Sequence, residues 1–143
     1  MSRRRREARD SRDRVAELEQ LYAELPQIQC KDFCVESCGP IAMSPLERQR
    51  IKERGVEITT LAPTCPALTQ IGLCSVYEVR PMICRLWGLV EQMACLWGCR
   101  PEGGFLDDLT ARRLLRRADV IGAQTNPARP AVTGIGDDGP ARR

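Results

Sequence analysis

The stretch Cys74–Gly88 reads CSVYEVRPMICRLWG, and it decides the expected fold of the middle of the chain. Its two cysteines lie ten residues apart, a separation that neither a regular helix nor a strand requires. Ser75 and Glu78 form a capping-box pattern, so a short helix is expected to begin directly after the first cysteine. Pro81 disfavours helical backbone at the preceding residue, so the chain should break there and continue as a helix over 81–94.

The whole chain is rich in thiols. It has eight cysteines and no histidine in 143 residues. The cysteines are Cys30, Cys34, Cys38, Cys65, Cys74, Cys84, Cys95 and Cys99. No secretory signal or membrane-spanning apolar run is visible, so we expect a cytoplasmic protein without a membrane contact. Disulfides do not persist in a reducing compartment, and a dense set of thiols there indicates metal binding or redox chemistry.

Thiolates are soft donors that bind zinc or iron–sulfur clusters, usually four to a site, so eight thiols could fill two sites or one site with spare thiols. The chain has no CxxC pair, which argues against a zinc ribbon and a thioredoxin-like redox pair. Its short spacings are Cys30-x3-Cys34-x3-Cys38 and Cys95-x3-Cys99. Side chains four apart share one face of a helix, so the first three cysteines are expected to line two helical turns.

Amphipathic segments surround the cysteines. Apolar residues at spacings of three and four predict a helix over 2–25, and Ser44, Pro45 and Glu47 predict a capped helix over 44–54. A last helix is predicted over 106–121, with Gly122 as its stop. Its expected buried side consists of Leu109, Leu114, Leu115, Ala118 and Ile121.

Together these segments predict a mainly α fold. We expect a small helical domain that is organised by metal, with irregular loops that carry the cysteines. Its parts are an N-terminal amphipathic helix over 1–26, a cysteine-cluster metal-binding domain over 27–104, a C-terminal amphipathic helix over 105–123 and a tail over 124–143. The tail is rich in Pro, Gly, Ala and Arg without apolar periodicity, so we expect it to be disordered.

Three motifs resemble the core of the YkgJ-type cysteine-cluster family, described as a zinc- or iron-chelating domain. They are Cys65-Pro-Ala-Leu, Cys74-Ser-Val-Tyr-Glu and Arg80-Pro-Met-Ile-Cys-Arg. The resemblance covers about residues 30–100 and implies that Cys65, Cys74 and Cys84 are metal ligands. The family opens with CxxCxxCC, whereas this chain has wider spacings and no adjacent pair. Cys95 and Cys99 are therefore candidates for the remaining ligands.

The resemblance also marks Tyr77, Glu78, Arg80 and Pro81 as signature positions. We expect Tyr77, Glu78, Arg80 and Arg85 to surround the ligands. A guanidinium can donate up to about five hydrogen bonds, so Arg80 could reach carbonyl groups, Glu78 or thiolates. The proline should fix the turn that returns the second cysteine of the stretch towards the first.

The favoured interpretation is a non-catalytic metal-binding protein that holds zinc or an iron–sulfur cluster, because no nucleophile–base pair or phosphate loop is present. One alternative is an iron–sulfur redox protein or an accessory protein of a modifying enzyme. Another is a zinc-stapled binder of nucleic acid or of the transcription machinery, supported only by the arginines of the terminal helices. A net charge of +3 gives weak attraction for phosphates, so nucleic acid is not the expected partner. A protein partner could bind through the terminal helices.

Overall fold

The computed structural model of the chain describes residues 2–31, 38–39, 41–59 and 62–123. The described part is mainly helical, as the sequence predicts. Its helices are α1 Arg3–Ala23, α2 Pro45–Glu53, α3 Met82–Leu86 and α4 Asp108–Ala123, with short 3₁₀ turns at Tyr77–Val79 and Glu91–Met93. None of the helices in these residues is long and apolar enough to cross a membrane. The predicted disordered tail over 124–143 lies outside the described residues.

The apolar faces of the four helices meet in one cluster, called the helical core here. Leu18, Leu21 and Tyr22 of α1 are buried in it, so the predicted apolar stripe of the first helix is confirmed. α4 holds the cluster together, since it packs against α1, α2 and α3. The remaining buried members are Leu46, Met82, Leu86, Val90, Ala111, Leu114, Ala118 and Ile121. Each large aliphatic side chain buried in this way contributes about 1.5–3 kcal/mol to folding.

Glu47 connects three of these helices through its buried carboxylate. The predicted capping box is confirmed, because its Oε2 accepts from Ser44 N at 3.0 Å and Ser44 Oγ accepts from Glu47 N at 3.3 Å. Its Oε1 accepts from Tyr22 Oη at 2.8 Å and from Met82 N at 2.7 Å. Burial and the neighbouring Glu47 raise the pKa of Tyr22, so the hydroxyl keeps the proton that it donates. One acidic residue thus joins α1, α2 and the start of α3.

The prediction of a helix over 81–94 is confirmed for its first turn and is wrong for the rest. α3 ends at Leu86, Trp87 is extended, and Gly88 adopts a φ of 84°, which favours glycine. Gly88 N then donates to Met93 O at 2.7 Å, which closes a tight turn. A Cβ on Gly88 would lie 3.0 Å from Ile28 Cδ1, so the chain stops being helical where it packs against a distant segment.

The helix predicted to start directly after Cys74 is also shifted. The 3₁₀ turn is Tyr77–Val79, and no side chain caps it. The hydroxyl of Ser75 donates instead to Ala67 O at 2.7 Å, and Ser75 N donates to the same carbonyl at 2.8 Å. Ser75 therefore does not cap a helix as expected but contacts Ala67 across the loop.

α4 differs from its prediction at both ends. It begins after Asp107, whose carboxylate accepts from Thr110 N at 2.8 Å. Leu109 was expected to be buried but is 55% exposed, and Ala111 takes the inward position. Gly122 does not stop the helix; a Cβ on it would lie 2.1 Å from Ser44 Oγ, so this glycine allows α4 to touch the start of α2.

The first three cysteines were expected to line two turns of a helix, but neither Cys30 nor Cys38 lies in a helix. Cys30 lies outside any helix, two residues after Ile28, which forms an antiparallel bridge with Pro101. Cys38 lies in irregular chain. Cys34 lies outside the described residues.

Candidate metal centre

Four of the predicted ligands lie near one another, as the pKa values of two of them, Cys38 and Cys84, indicate. Burial raises the pKa of Cys38, and charge on Cys65 and Cys74 raises it further. Burial raises the pKa of Cys84 to about 12, against the opposing charge of Arg80. Charge on Cys65, Cys74 and Cys38 adds to this rise. Like charges affect each other in this way only over a few ångströms, so these thiols form one group, called the four-thiol group here.

Backbone hydrogen bonds bring three of these cysteines together. Cys65 N donates to Cys38 O at 3.1 Å, which joins two distant parts of the chain. Leu68 forms an antiparallel bridge with Cys74, and Thr69 N donates to Leu73 O at 2.8 Å. The segment between Cys65 and Cys74 is therefore a small hairpin, and both cysteines lie at its open end.

Two apolar clusters support the four-thiol group from different sides. Cys65 and Cys74 pack against a smaller cluster, called the loop core here. Its buried members are Ile51, Ile58, Ala67, Val76 and Val79. Cys84 lies on α3, whose Met82 and Leu86 are buried in the helical core. The four-thiol group therefore draws its members from both parts of the molecule.

Arg80 lies over the ring of Tyr77 beside this group. Its Cζ is 3.6 Å from the ring centroid, and its Nε donates to Tyr77 O at 3.0 Å. Its charge favours the thiolate of Cys84. Stacking on the ring and the bond to the carbonyl both hold the guanidinium in place, so it can offset negative charge that collects on the sulfurs.

Arg85 stabilises the 3₁₀ turn Tyr77–Val79 and the residue after it from the side of the helical core. Its Nε donates to Arg80 O and its Nη2 to Glu78 O, each at 2.8 Å, while its Cζ lies 3.9 Å from the ring centroid of Tyr22. The side chain of Glu78 is 80% exposed and pairs with Arg54 at 3.5 Å, so its carboxylate faces solvent. Glu78 therefore contributes to this turn as a hydrogen-bond acceptor through its backbone carbonyl oxygen, and its carboxylate takes no part in it.

Cys95 and Cys99 form a second group on a tight turn. The backbone N–H groups of Cys99 and Trp97 donate to the Cys95 sulfur, and the two thiols are hydrogen-bonded to each other. Burial opposes ionisation of Cys95, but these donors and the charge of Arg100 hold its pKa below the usual value. Arg100 Nη1 also donates to the carbonyl oxygens of Cys95 at 3.3 Å and Cys99 at 2.9 Å.

Cys30 lies beside this second turn. Ile28 bridges to Pro101, and Lys31 Nζ donates to Trp97 O at 3.3 Å, so the chain on both sides of Cys30 contacts the turn. The structure therefore places seven of the eight predicted ligands in two neighbourhoods. Cys34 is the eighth and lies outside the described residues.

The described thiols lie near one another but do not surround a common point. Within residues 2–31, 38–39, 41–59 and 62–123, no three Cys, Asp or Glu side chains form an arrangement that could hold a metal ion as it stands. The donor set still fits a soft metal by its chemistry, because four thiols of one chain meet beside an arginine and metals of this kind take four thiolates.

A scan against family models, a search of curated proteins and a search of solved structures each found no match to this chain.

Sequence reasoning missed two contributors to the site. Glu47 was predicted only as a helix cap, yet its bond to Met82 N also anchors the helix that carries Cys84. The N–H groups around Cys95 were not predicted at all. A glycine directly before the second cysteine of Cys-Leu-Trp-Gly-Cys is the signal that could have indicated them, since Gly98 has a φ of 83° in this turn.

Proposed function

We propose that this protein is a non-catalytic metal-binding protein of the YkgJ type that works in the cytoplasm. Its main site consists of Cys38, Cys65, Cys74 and Cys84, and the metal is zinc or an iron–sulfur cluster. The observation that supports the proposal most is the proximity of the four thiols, by which Cys65 and Cys74 raise the pKa of both Cys38 and Cys84.

The electrostatics of the group give the physical reason. Burial and neighbouring thiolates disfavour ionisation of Cys84, whose pKa is raised to about 12. Such a thiol keeps its proton at neutral pH until a cation displaces it. A soft dication would cancel about half of the charge of four thiolates, and Arg80 would offset part of the rest. The bound ion would also join the loop core to the helical core, which a set of inert thiols would not do.

The nucleic-acid alternative gains little from α4, because two of its arginines already have carboxylate partners. Arg117 donates to both carboxylate oxygens of Glu24, at 2.7 and 2.8 Å. Arg112 Nε donates to Asp108 at 2.7 Å. These pairs leave less positive charge for phosphates, which supports the metal-binding proposal over that alternative.

The test is metal analysis of the chain purified without oxygen. We expect a stoichiometric soft metal, with zinc giving a colourless protein and an iron–sulfur cluster giving a brown one. Cys74→Ser and Cys84→Ser should each lower the metal content of this site strongly. Ile71→Ser is the matched control, because Ile71 lies in the same hairpin but is 81% exposed. Unchanged metal content in both cysteine variants would sink the proposal.

A further inference from the structure

The N-terminal part of α1 is a charged segment that lies outside the helical core. The buried residues of α1 begin at Leu18, and none of residues 3–14 is buried. Ala8 is the only apolar residue among them. Residues 3–14 contain seven arginines and three acids and so carry a net charge of +4, whereas the rest of the chain carries −1. This segment, called the arginine arm here, therefore holds all the excess positive charge of the molecule.

The acids in the second half of α1 do not neutralise the arm, because they face arginines of other helices. Glu19 forms an ion pair with Arg50 of α2. Glu24 accepts two hydrogen bonds from Arg117 of α4, and Glu17 lines the same groove between α1 and α4. The near balance of seven arginines and six acids over residues 1–24 is therefore divided in space between two parts of the helix.

The three acids of the arm itself are each paired within it. They form ion pairs at a spacing of four residues, with N–O distances of 2.9, 3.4 and 3.9 Å: Arg3–Glu7, Arg14–Asp10 and Arg9–Asp13. In the part of the chain that the structure describes, four arginines of the arm form no ion pair: Arg4, Arg5, Arg6 and Arg12. These four charges are available to an anionic partner.

The position of the charges acts against the helix that carries them. The first turn of α1 begins at Arg3 and holds no acid, and the side chain of Ser2 makes no capping hydrogen bond. The N-terminal end of a helix is the positive end of its dipole, so cations there lower its stability. Local rules of this kind are broken mostly at functional sites, which favours a binding role for the arm.

The composition of the arm discriminates between anionic partners. Protein interfaces have an apolar core, and helices on membrane surfaces bury an apolar face, but the arm has no large apolar side chain. Single-stranded nucleic acid is bound largely by stacking on aromatic side chains, which the arm also lacks. The phosphates of a duplex require only charge and hydrogen-bond donors, and a guanidinium supplies both.

The geometry of the arm favours duplex DNA over duplex RNA. Successive residues of a helix point about 100° apart, so Arg4, Arg5 and Arg6 face three different sides. Charges spread in this way suit a groove with phosphates on both walls. The major groove of DNA admits an α-helix, whereas that of RNA is deep and narrow.

We propose that the arginine arm binds duplex DNA without reading its sequence, with the start of α1 in the major groove. Phosphates on the two walls of the groove are contacted by the four arginines that have no acidic partner: Arg4, Arg5, Arg6 and Arg12. The whole-chain charge of +3 gave no reason to expect this partner, because it averages the arm with the slightly acidic remainder. The arm holds no cysteine, so this function goes beyond metal binding and does not depend on it.

The test is a fluorescence anisotropy titration of a short labelled DNA duplex of mixed sequence with the full chain, at low and at rising salt. Each phosphate contact adds about 0.9 to the slope of log K against log salt concentration, so four contacts predict a slope of about −3.6. Arg5→Gln/Arg6→Gln should weaken binding at low salt about tenfold and reduce the slope by about 1.8. Arg113→Gln/Arg116→Gln is the control, because it removes the same charge from exposed positions of α4, and we expect a change of no more than about twofold.

A second pair of variants tests for a gain of binding. Glu7→Gln frees Arg3 from its ion pair, so we expect tighter binding and a slope steeper by about 0.9. Glu57→Gln adds the same charge at an exposed position outside α1 and should leave both quantities unchanged. A gain cannot come from a variant that fails to fold, so this comparison keeps the proposal testable.

Several results would overturn the proposal. One is an equal loss of affinity in the α4 control and in Arg5→Gln/Arg6→Gln, and another is a Glu7→Gln chain that binds DNA no more tightly than the parent. Equal or tighter binding to single-stranded DNA, to duplex RNA, to anionic lipid vesicles or to an acidic peptide would assign the arm a different partner. None of these results bears on the four-thiol group, because every variant keeps all the cysteines.

Discussion

The helices and the cysteine-bearing loops are held by different forces. In the helical core, Leu18 and Leu86 are fully buried and the carboxylate of Glu47 ties three helices together. The loop over 62–81 has a smaller apolar cluster, which it shares with Ile51 and Ile58, and it relies on turns and an isolated bridge. Apolar burial stabilises a structure without any ligand, whereas such a loop needs cross-links. The comparison teaches that the proposed metal would stabilise one part of the molecule far more than the other.

Removal of metal should have the largest effect, and it should be strongest in the loop over 62–81. A structural zinc site contributes on the order of 10 kcal/mol, and its loss should abolish hydrogen-exchange protection over 62–81. Amides of α1 and α4 should stay protected, because their packing is apolar. Hydrogen exchange with and without a chelator measures this difference. Equal loss of protection in both parts would show that the two are one cooperative unit.

Glu47→Ala should give the next largest effect, in the opposite part of the molecule. The change leaves the buried Tyr22 hydroxyl and Met82 N–H without their acceptor, and each buried donor left unsatisfied costs about 1–3 kcal/mol. Chemical denaturation measures the free energy of unfolding. Gln49→Ala is the matched control on α2, since Gln49 is exposed and its side chain donates to the carboxylate of Glu53 on the same helix at 3.2 Å. A loss below about 1 kcal/mol would remove Glu47 from its central place.

Prediction from sequence succeeded where the determinants are local. The stripe of α1 and the capping box of α2 depend on residues within a few turns of each other, and both were found as expected. The end of α3 could not be found in this way, because it depends on Gly88 meeting Ile28 across the fold. Leu109 was misassigned because Ala111 fits the inward position of α4 better.

The candidate site shows the same division. The sequence indicated the cysteines as ligands but left open whether they fill one site or two and which of them lie together. Their sorting into two neighbourhoods depends on long-range contacts, such as Cys65 N to Cys38 O and Ile28 to Pro101. No spacing rule contains that information. The signature residues were noticed as a motif, yet the turn that Arg85 braces through two carbonyl groups becomes visible only in three dimensions.

Gly122→Ala tests the closest approach within the helical core, with a smaller expected effect. Alanine normally favours a helix by about 1 kcal/mol over glycine, but here its Cβ would overlap Ser44 Oγ at 2.1 Å. We expect a net loss of about 1–3 kcal/mol, typical of overpacking. Ser44→Gly removes the overlapping atoms, so the double variant should lose less than the sum of the two single ones. Additive losses would mean that the contact does not limit the packing.

The smallest effect is expected at the surface pair that joins α1 to α4. The hydrogen bond from Arg117 lowers the pKa of Glu24 below its ordinary value of 4.5. A carboxylate whose folded-state pKa is lowered stabilises the fold above the ordinary pKa, and this contribution is lost as the pH falls through the lowered value. Glu24→Gln should therefore be slightly less stable than the parent chain at neutral pH.

The difference between Glu24→Gln and the parent should vanish in acid, where the carboxylate is protonated in both states. Thermal unfolding from neutral pH down to below the lowered pKa of Glu24 measures it. Glu17→Gln is the comparison, because the charge of Glu17 also acts on Arg117, whereas the paired hydrogen bonds of Arg117 go to Glu24. A difference that persists unchanged in acid would assign the effect to packing of the side chain. The ion pair would then contribute nothing measurable to the stability of the helical part, as is common for exposed pairs.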